Sequence, residues 1–253
     1  MYTEPVVIRE AYTELVQLVA ARLGVELEPV QGDLATLWRH PKLLLAQTCG
    51  YPWITQLQGT VRLVAAPRYT LPGCVDATHC SFILVSESST FASLDDLRGS
   101  RAAINGSDSN SGMNLLRDAV APLSKQGRFF GEVVESGSHA NSMRMLQVGE
   151  AAVAAIDAVT YGYLERHIPE RVAGLRVLRR TRQSPALPLI CAATHTDEMV
   201  RNLRAALSAI LAENPGLAET LAIQDFDRIS EETYFPILQW QEDAIKLGYP
   251  VVD

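Results

Sequence analysis

The spacing of apolar residues predicts a helix at the start of the chain. Apolar side chains recur at i, i+3, i+4 and i+7 in the series Val16, Val19, Ala20 and Leu23, which places them on one face of an α-helix. This helix is expected to cover about residues 8–23 and to end at Gly24, because glycine readily adopts the left-handed conformation that closes a helix. The chain therefore opens with an amphipathic helix.

Short apolar runs with turn residues between them predict the first strands. Residues 61–66 and 81–86 are mostly apolar, and Pro72 and Gly73 lie between them, a pattern typical of buried strands separated by turns. Residues 43–46 form a shorter candidate strand that leads into the sequence TCGYP.

From about residue 97 the pattern alternates regularly between strand, polar loop and helix. The predicted elements are strand 102–105, helix 113–120, strand 131–135, a helix ending at Gly149, and strand 152–158. Alternation at this spacing is typical of βαβ units, which build a mainly parallel sheet with helices on its faces. The middle of the chain is therefore predicted to be an α/β unit.

The last part of the chain is predicted to be largely helical. The apolar run 187–193 is a candidate strand, and a helix is expected near residues 232–247. Between them, a long helix is predicted because five apolar residues share one helical face. These residues are Val200, Leu203, Leu207, Ile210 and Leu211.

Together these elements predict an α/β fold with two lobes, each a mainly parallel sheet flanked by helices. The first lobe is expected to be discontinuous, with residues 1–83 and 190–253, and the second lobe, residues 84–189, is inserted into it. Two crossing strands would then join the lobes. Clefts between α/β lobes are where small ligands bind.

Composition and charge exclude several classes of protein. The 253 residues carry a formal net charge of -7, which argues against a nucleic-acid-binding protein that neutralises phosphates with a basic surface. The apolar runs are too short to span a membrane. An anionic ligand would have to be held locally, by backbone N–H groups and hydroxyls.

The cysteines and the N-terminal sequence add little chemistry. Cys49, Cys74, Cys80 and Cys191 lack the paired short spacings of a zinc site, so neither a metal nor another cofactor is predicted. Cys74 could pair with Cys80, Cys49 could pair with either, or all could be free buried thiols. The first ten residues include acids and lack an apolar core, which is not typical of a secretory signal.

The loop Ser107-Asp108-Ser109-Asn110-Ser111-Gly112 is the first candidate for binding chemistry. It follows a predicted strand and precedes a predicted helix, so its hydroxyls and the unpaired N–H groups of the helix start converge. Ser109 or Ser111 could simply cap the helix. Because capping needs only one such residue, the additional polar side chains favour an anion-binding site.

A second loop of the same kind, ending in Ser138 and His139, opens the next predicted helix. His139 in a first helical turn is placed to donate to an anion, although a lone histidine can equally be structural. Asp157 ends the third strand and either caps the following helix or faces the ligand. An Asp facing an oxyanion would select a ligand that carries a cationic group or a protonated oxygen.

Two segments carry a resemblance to a known family. The runs DLRGSRAAINGSDSNSGMNLLR and ESGSHANSMRMLQVGEAAVAAIDAVTY resemble the periplasmic phosphate- and phosphonate-binding proteins of ABC transporters. LLLAQTCGYP and the opening MYTEP are similar to first-lobe segments of that family. The resemblance implies the two-lobed type II clamp, a periplasmic location, and ligand contacts from the two serine loops and from first-lobe aromatics. Carried onto this sequence, it implies that the ligand meets Ser109, Asn110, Ser111, Ser138 and His139, together with Tyr51, Thr48 and Tyr2.

The resulting hypothesis is a monomeric solute-binding protein that captures a small phosphate-like or phosphonate-like oxyanion for an ABC permease. One alternative is a cytosolic or sensor-linked binding protein of the same fold. A second is an enzyme in which Cys49 is the nucleophile and His139 the base.

Overall fold

The computed structural model describes residues 1–28 and 32–252, which form two compact units. The first unit comprises the described residues of Met1–Thr70, Val75–Thr78 and Pro185–Tyr234. The second comprises Leu71–Cys74, His79–Ser184 and the described residues from Phe235 onwards. Both units combine helices with a sheet, so the predicted α/β class is confirmed.

Helices and strands alternate along most of the chain. The α-helices are α1 (Val6–Leu23), α2 (Leu34–Trp38), α3 (Gly50–Pro52), α4 (Leu115–Val120), α5 (His139–Gln147), α6 (Ala158–His167), α7 (Asp197–Glu213), α8 (Pro215–Leu221) and α9 (Phe235–Lys246). The strands are β1 (Ala46–Gln47), β2 (Val61–Tyr69), β3 (Cys74–Val75), β4 (Thr78–His79), β5 (Ser81–Ser86), β6 (Arg101–Ile104), β7 (Glu132–Glu135), β8 (Val153–Asp157), β9 (Leu175–Arg180), β10 (Ser184–Pro185), β11 (Leu189–Ala192) and β12 (Ile223–Asp227).

Helix α1 confirms the prediction made from the apolar spacing. It ends at Gly24, whose φ of 64° is left-handed and therefore suits glycine. On the apolar face of this helix Leu15, Val19 and Ala20 are buried, Val16 and Leu23 are half-buried, and α1 packs against α7 and α8. Burial of a leucine or valine side chain contributes about 1.5–3 kcal/mol, so this face anchors α1 to the first unit.

The sheet of the first unit is antiparallel, and the prediction of a mainly parallel sheet is wrong for it. Its order is β1-β11-β2-β12, and every neighbouring pair runs antiparallel. The reason is the chain path: β2 runs towards the segment where the chain leaves the unit, whereas β11 begins just after the chain has returned. Strands that leave and re-enter a unit in this way run in opposite directions.

The sheet of the second unit is mixed, with a parallel centre. Its order is β7-β6-β8-β5-β9, in which β6 pairs in parallel with β7 and β8. Strand β5 is antiparallel to β8 and to β9. The βαβ pattern thus predicted the parallel part correctly. Among these five strands β5, which carries the chain into the unit, runs the other way, and β9, antiparallel to β5, has the same direction as β8.

The last helix, α9, lies in the second unit. Asn114 Nδ2 donates to the carbonyl of Ile237 (3.3 Å), and Arg117 Nη1 donates to that of Pro250 (2.8 Å). The Arg182 guanidinium lies 5.3 Å from the centre of the Trp240 ring. The sequence-based boundaries place residues 235–253 in the first lobe, so the structure differs from them at this point. An amphipathic pattern predicts a helix but does not identify the core it covers.

Smaller differences concern short elements. The strand predicted at residues 43–46 is reduced to β1, and residues 110–114 form a π-helical turn that precedes α4. Among the described residues, no helix combines the length and the apolar character that crossing a lipid bilayer requires.

Candidate functional site

The polar loops of the second unit follow strands that end at one edge of its sheet. Because β6, β7 and β8 are parallel neighbours, their carboxyl ends point the same way. Strand β5 begins at the same edge, since Ser81 is the register partner of Asp157 at the end of β8. The loops after β6, β7 and β8 therefore arise at this edge, together with the residues just before β5.

In the first loop, Ser109 acts as a helix cap. Its Oγ accepts a hydrogen bond from the Gly112 N–H at 3.0 Å, and the residue is 6% exposed. This bond satisfies one of the amide groups that a helix start leaves without an intrahelical acceptor. The capping role considered for Ser109 is therefore present in the structure.

The side chain of Asn110 holds the loop together. Its Nδ2 donates to Ser184 Oγ (2.8 Å), and its Oδ1 accepts from Asn114 Nδ2 (3.1 Å). Arg117 donates in turn to Asn114 Oδ1. Asn110 is 1% exposed, so this side chain, which the resemblance assigned to the ligand, is engaged in a buried hydrogen-bond network.

Ser111 and His139 bring the two serine loops into contact. Ser111 Oγ lies 3.0 Å from His139 Nε2, and the Ser111 carbonyl accepts from Ser81 Oγ at 2.9 Å. Ser111 is 3% exposed. The expected meeting of the two loops is thus present, and it is made by a hydroxyl and an imidazole, both groups that can donate to an oxyanion.

The surroundings of His139 shift its protonation equilibrium. Burial, the largest cause, lowers its pKa below the usual 6.5, and the electrostatic interaction with His79 acts in the same direction. The Asp157 carboxylate raises the pKa and only partly offsets the burial. Burial therefore favours the neutral imidazole, the ordinary response of a histidine removed from water.

Ser138 and Asp157 both begin helices. Ser138 Oγ accepts from the Asn141 N–H (3.1 Å) at the start of α5. Asp157 Oδ1 accepts from the N–H groups of Val159 (2.6 Å) and Thr160 (3.2 Å) at the start of α6. The capping alternatives for these two residues are therefore also present in the structure.

His79 was not predicted from the sequence. Its Nδ1 lies 3.6 Å from Asp157 Oδ2, and both side chains are almost fully buried. Neither ring nitrogen of His79 makes a hydrogen bond within the described residues. Strand topology places His79 here, since it lies two residues before β5, whose start meets the end of β8 through antiparallel pairing.

Gly112 is the point of closest packing in the loop. A Cβ at this position would lie 1.8 Å from Asn105 Oδ1 and 3.1 Å from His139 Cε1, so no side chain fits without displacing a neighbour. Asn105 Oδ1 is buried without a hydrogen-bond partner among the described residues. Asn105 was not among the residues predicted for the site, although it lies only two residues before Ser107, where the serine loop begins.

The first-unit candidates lie in aromatic and buried surroundings. The Thr48 N–H donates to the Pro188 carbonyl at 3.1 Å, and Thr48 is 2% exposed. Tyr51 lies in α3 and is half-buried. The Tyr2 ring stacks on Tyr12, with 6.3 Å between centroids, and meets Tyr69 edge-on at 6.1 Å. Their assignment to the ligand stays a prediction.

The thiols and acids show no metal-site geometry. No disulfide joins the four cysteines, all of which lie in the described part of the chain. Burial raises the pKa of Cys74 and Cys80, and raises that of Cys191 to about 11. Within residues 1–28 and 32–252, His, Cys, Asp and Glu side chains do not gather in a group of three or more that could hold a metal ion.

Comparison with known proteins places this geometry in context. A sequence model of the family described as "ABC transporter, phosphonate, periplasmic substrate-binding protein" matches residues 1–234. No curated protein sequence matches the chain significantly.

Several solved structures share the fold. A binding-protein component of an ABC phosphonate transporter from Pseudomonas aeruginosa is 16% identical, with a TM-score of 0.80 over 98% of this chain and 84% of that one. PhnD1 from Prochlorococcus marinus, in complex with methylphosphonate, is 15% identical, with a TM-score of 0.79 over 95% and 94%. XAC2383 from Xanthomonas citri, bound to ATP, is 15% identical, with a TM-score of 0.70 over 95% and 94%. These likenesses show the type II binding-protein fold, and the ligands differ among them.

Proposed function

Because the chain belongs to the family of periplasmic substrate-binding proteins of ABC phosphonate transporters, we propose that Ser111 and His139 bind the ligand. The ligand is a small phosphonate-like or phosphate-like oxyanion. The observation that carries this proposal is the 3.0 Å contact between Ser111 Oγ and His139 Nε2. It joins two loops that each begin a helix.

The helix starts supply further donors at the same place. Ser111 is the second residue of the helical stretch that begins at Asn110, and His139 is the first residue of α5. The first N–H groups of a helix have no intrahelical acceptors, and the helix dipole favours negative charge there. A phosphonyl group at this point would accept hydrogen bonds from the Ser111 hydroxyl, the His139 ring and backbone N–H groups. These local donors would favour an anion here although the chain carries a net charge of -7.

Ser109, Asn110 and Ser138 support the binding groups by holding the loops. The bonds of Ser109 and Ser138 are helix caps, and such caps contribute about 0.5–2 kcal/mol each. The Asn110 amide fixes the loop through Ser184 and Asn114. We therefore assign these side chains to positioning, with the backbone of the loop facing the ligand.

Asp157 is proposed to select among anions. Its carboxylate acts electrostatically on His139, so it would also repel a fully ionised oxyanion bound to that ring. A ligand with a protonated oxygen or an attached ammonium group relieves this repulsion. We expect Asp157 to favour such ligands over fully ionised, unsubstituted dianions.

The protein is proposed to deliver its ligand to an ABC permease without transforming it. Its family consists of substrate-binding components of transporters. The enzyme alternative rests on Cys49, which directly precedes α3 and whose carbonyl accepts from the Trp53 N–H. In this arrangement Cys49 has a structural role as the residue that begins a helix.

Replacing Ser111 by alanine should weaken binding of methylphosphonate or phosphate by about 1–3 kcal/mol, the range for losing a hydrogen bond to a charged group. Isothermal titration calorimetry measures this loss. A thermal-shift series with methylphosphonate, phosphate, phosphite and sulfate identifies the preferred anion, because a ligand that binds only the folded state raises the melting temperature.

Two other serines of the same loop serve as controls. Ser107 is exposed, so Ser107→Ala should leave affinity and melting temperature unchanged. Ser109→Ala removes the cap bond to Gly112 and should lower the free energy of unfolding by about 0.5–2 kcal/mol. If Ser111→Ala binds every anion of the series as tightly as the parent, Ser111 is not part of the site.

A further inference from the structure

The first unit contains a groove that shares no residue with the serine loops. It has a volume of about 650 Å³ and is lined by the start of β2, the first two turns of α7 and the segment 228–232 after β12. Of its apolar lining residues, Val61, Val200 and Ile229 are buried and Leu63 is half-buried. We call it the arginine groove, after its four arginines Arg62, Arg201, Arg204 and Arg228.

Two of these arginines are held in place by the backbone. Arg204 Nε donates to the Val64 carbonyl (2.5 Å) and Nη2 to the Leu63 carbonyl (3.1 Å). Arg62 Nη1 donates to the His195 carbonyl at 2.6 Å. A guanidinium has five N–H groups, so each keeps further donors, already oriented, for a ligand in the groove.

The positive charge in the groove is only partly neutralised. Arg62 forms an ion pair with Asp197. Across residues 1–28 and 32–252, no carboxylate lies within 4.0 Å of the guanidinium nitrogens of Arg201, Arg204 or Arg228. Burial lowers the pKa of Arg204, and the positive charges of Arg228 and Arg62 lower it further. The guanidinium group of Arg204 is therefore repelled by those of Arg228 and Arg62, and a bound anion would relieve that repulsion.

Two carboxylates of the lining, those of Glu231 and Glu232, accept hydrogen bonds from neighbouring side chains. Glu231 Oε2 accepts from Gln58 Nε2 at 2.9 Å. A hydrogen bond with Ser230 lowers the pKa of Glu232, which favours the ionised form. Both carboxylates would repel an anion, which would therefore bind nearer to the arginines than to Glu231 and Glu232.

We propose that the arginine groove is a second anion-binding site, which takes a linear ligand of two or more phosphoryl groups. A guanidinium group binds a phosphoryl group through two parallel N–H···O bonds, and arginines from three separate segments line the groove, which suits a ligand with several charged groups. A single small anion would gain little at a partly exposed surface.

The test is titration of the parent protein with tripolyphosphate in the presence of methylphosphonate. One saturable binding event is expected. Because Arg201 and Arg228 are exposed, the double variant Arg201→Gln/Arg228→Gln should keep the parent melting temperature and weaken tripolyphosphate binding at least tenfold. The matched pair Arg9→Gln/Arg166→Gln removes two exposed arginines elsewhere and should bind like the parent.

Two further ligands and one further variant test whether binding depends on the phosphate chain and on the arginine groove. Sulfate should bind at least tenfold more weakly than tripolyphosphate. A nucleoside triphosphate that binds more tightly than tripolyphosphate would identify a nucleotide as the ligand, and equal affinity would identify the phosphate chain itself. Ser111→Ala should leave tripolyphosphate binding unchanged, so failure of the serine-loop site is distinguishable from failure of this one.

Three results would overturn the proposal. The first is a parent protein that shows no saturable binding of tripolyphosphate. The second is an equal loss of affinity in the two arginine pairs, which would indicate a general charge effect. The third is sulfate binding as tightly as tripolyphosphate, since the groove would then not require several phosphoryl groups.

Discussion

Replacing Gly112 by alanine is expected to lower the free energy of unfolding by about 1–3 kcal/mol, the usual cost of an added group in a filled interior. The new Cβ would lie 1.8 Å from Asn105 Oδ1 and 3.1 Å from His139 Cε1, so both side chains must move. Because His139 Nε2 is held 3.0 Å from Ser111 Oγ, its displacement should also reduce anion affinity at least about tenfold, or about 1.4 kcal/mol. Denaturant unfolding and calorimetric titration measure the two effects.

Adding a substitution at Asn105 separates the steric clash between the new Cβ at position 112 and Asn105 from the other effects of Gly112→Ala. Asn105→Ala removes the atoms that the new Cβ would meet most closely, so Gly112→Ala/Asn105→Ala should recover most of the lost stability. Asn105→Ala alone provides the reference. A Gly112→Ala protein with the parent's stability and affinity would mean that the loop packs less closely against Asn105 than the structure indicates.

Local patterns predicted much of the second unit because each of its parallel strands is followed by its own loop and helix. The pattern from residue 97 onwards gave β6, α4, β7, α5 and β8 in the right order. Such βαβ units are also the reason why the two serine loops could be expected at one edge of the sheet.

The sequence was less informative where contacts are distant along the chain. Strand β12 was missed because its residues 224 and 225 are polar and its pairing with β2 contains an irregularity between Ile223 and Asp225, which disrupts the alternation expected of a strand. The antiparallel sheet of the first unit combines strands from residues 46–69 and 189–227. A local sequence pattern does not indicate whether strands so far apart in the chain pair in a parallel or an antiparallel arrangement.

The roles of single polar residues in the candidate site were also only partly predictable. A serine-rich loop at a helix start predicts that some hydroxyls cap the helix and others face outward, but not which ones. The structure resolves this for Ser109, which caps, and Ser111, which meets His139. The sequence did not point to His79 because Asp157, its neighbour in the structure, lies 78 positions away along the chain.

His139 is expected to make anion affinity depend on pH. Burial lowers its pKa in the protein without ligand, so the ring is neutral at neutral pH, whereas an adjacent anion favours the imidazolium form. Ligand binding should therefore raise the pKa of His139 and be accompanied by proton uptake. It follows that affinity for an anion of fixed charge is highest at low pH and falls as the pH rises through the pKa of the bound state.

The same residue has the opposite effect on the stability of the protein without ligand. Because its pKa is lower in the folded state than the usual 6.5, the unfolded chain binds the proton more readily. The contribution of His139 to the free energy of unfolding is therefore complete above the unfolded pKa and is lost as the pH falls through the folded pKa. At acidic pH, binding should strengthen while the ligand-free protein becomes less stable.

The measurement is calorimetric titration between about pH 5.5 and 8.5 with a ligand whose charge is constant. Phosphate is unsuitable because its own second ionisation falls near this range, so sulfate or the singly charged monomethyl ester of methylphosphonate is used. For the parent protein, affinity should fall as the pH rises across this range, because the bound anion favours the protonated ring. His139→Gln keeps a hydrogen-bond donor and should show almost no slope.

The control is His167→Gln, which removes an exposed histidine from the second unit and should retain the parent's slope. His79 and Asp157 both act electrostatically on His139, so a slope that survives in His139→Gln would have to come from them or from other titrating groups. Equal slopes in the parent and in His139→Gln would exclude His139 as the titrating ligand contact. His139 would then be a structural residue at the start of α5, and Ser111 with the backbone N–H groups of the helix starts would have to hold the anion.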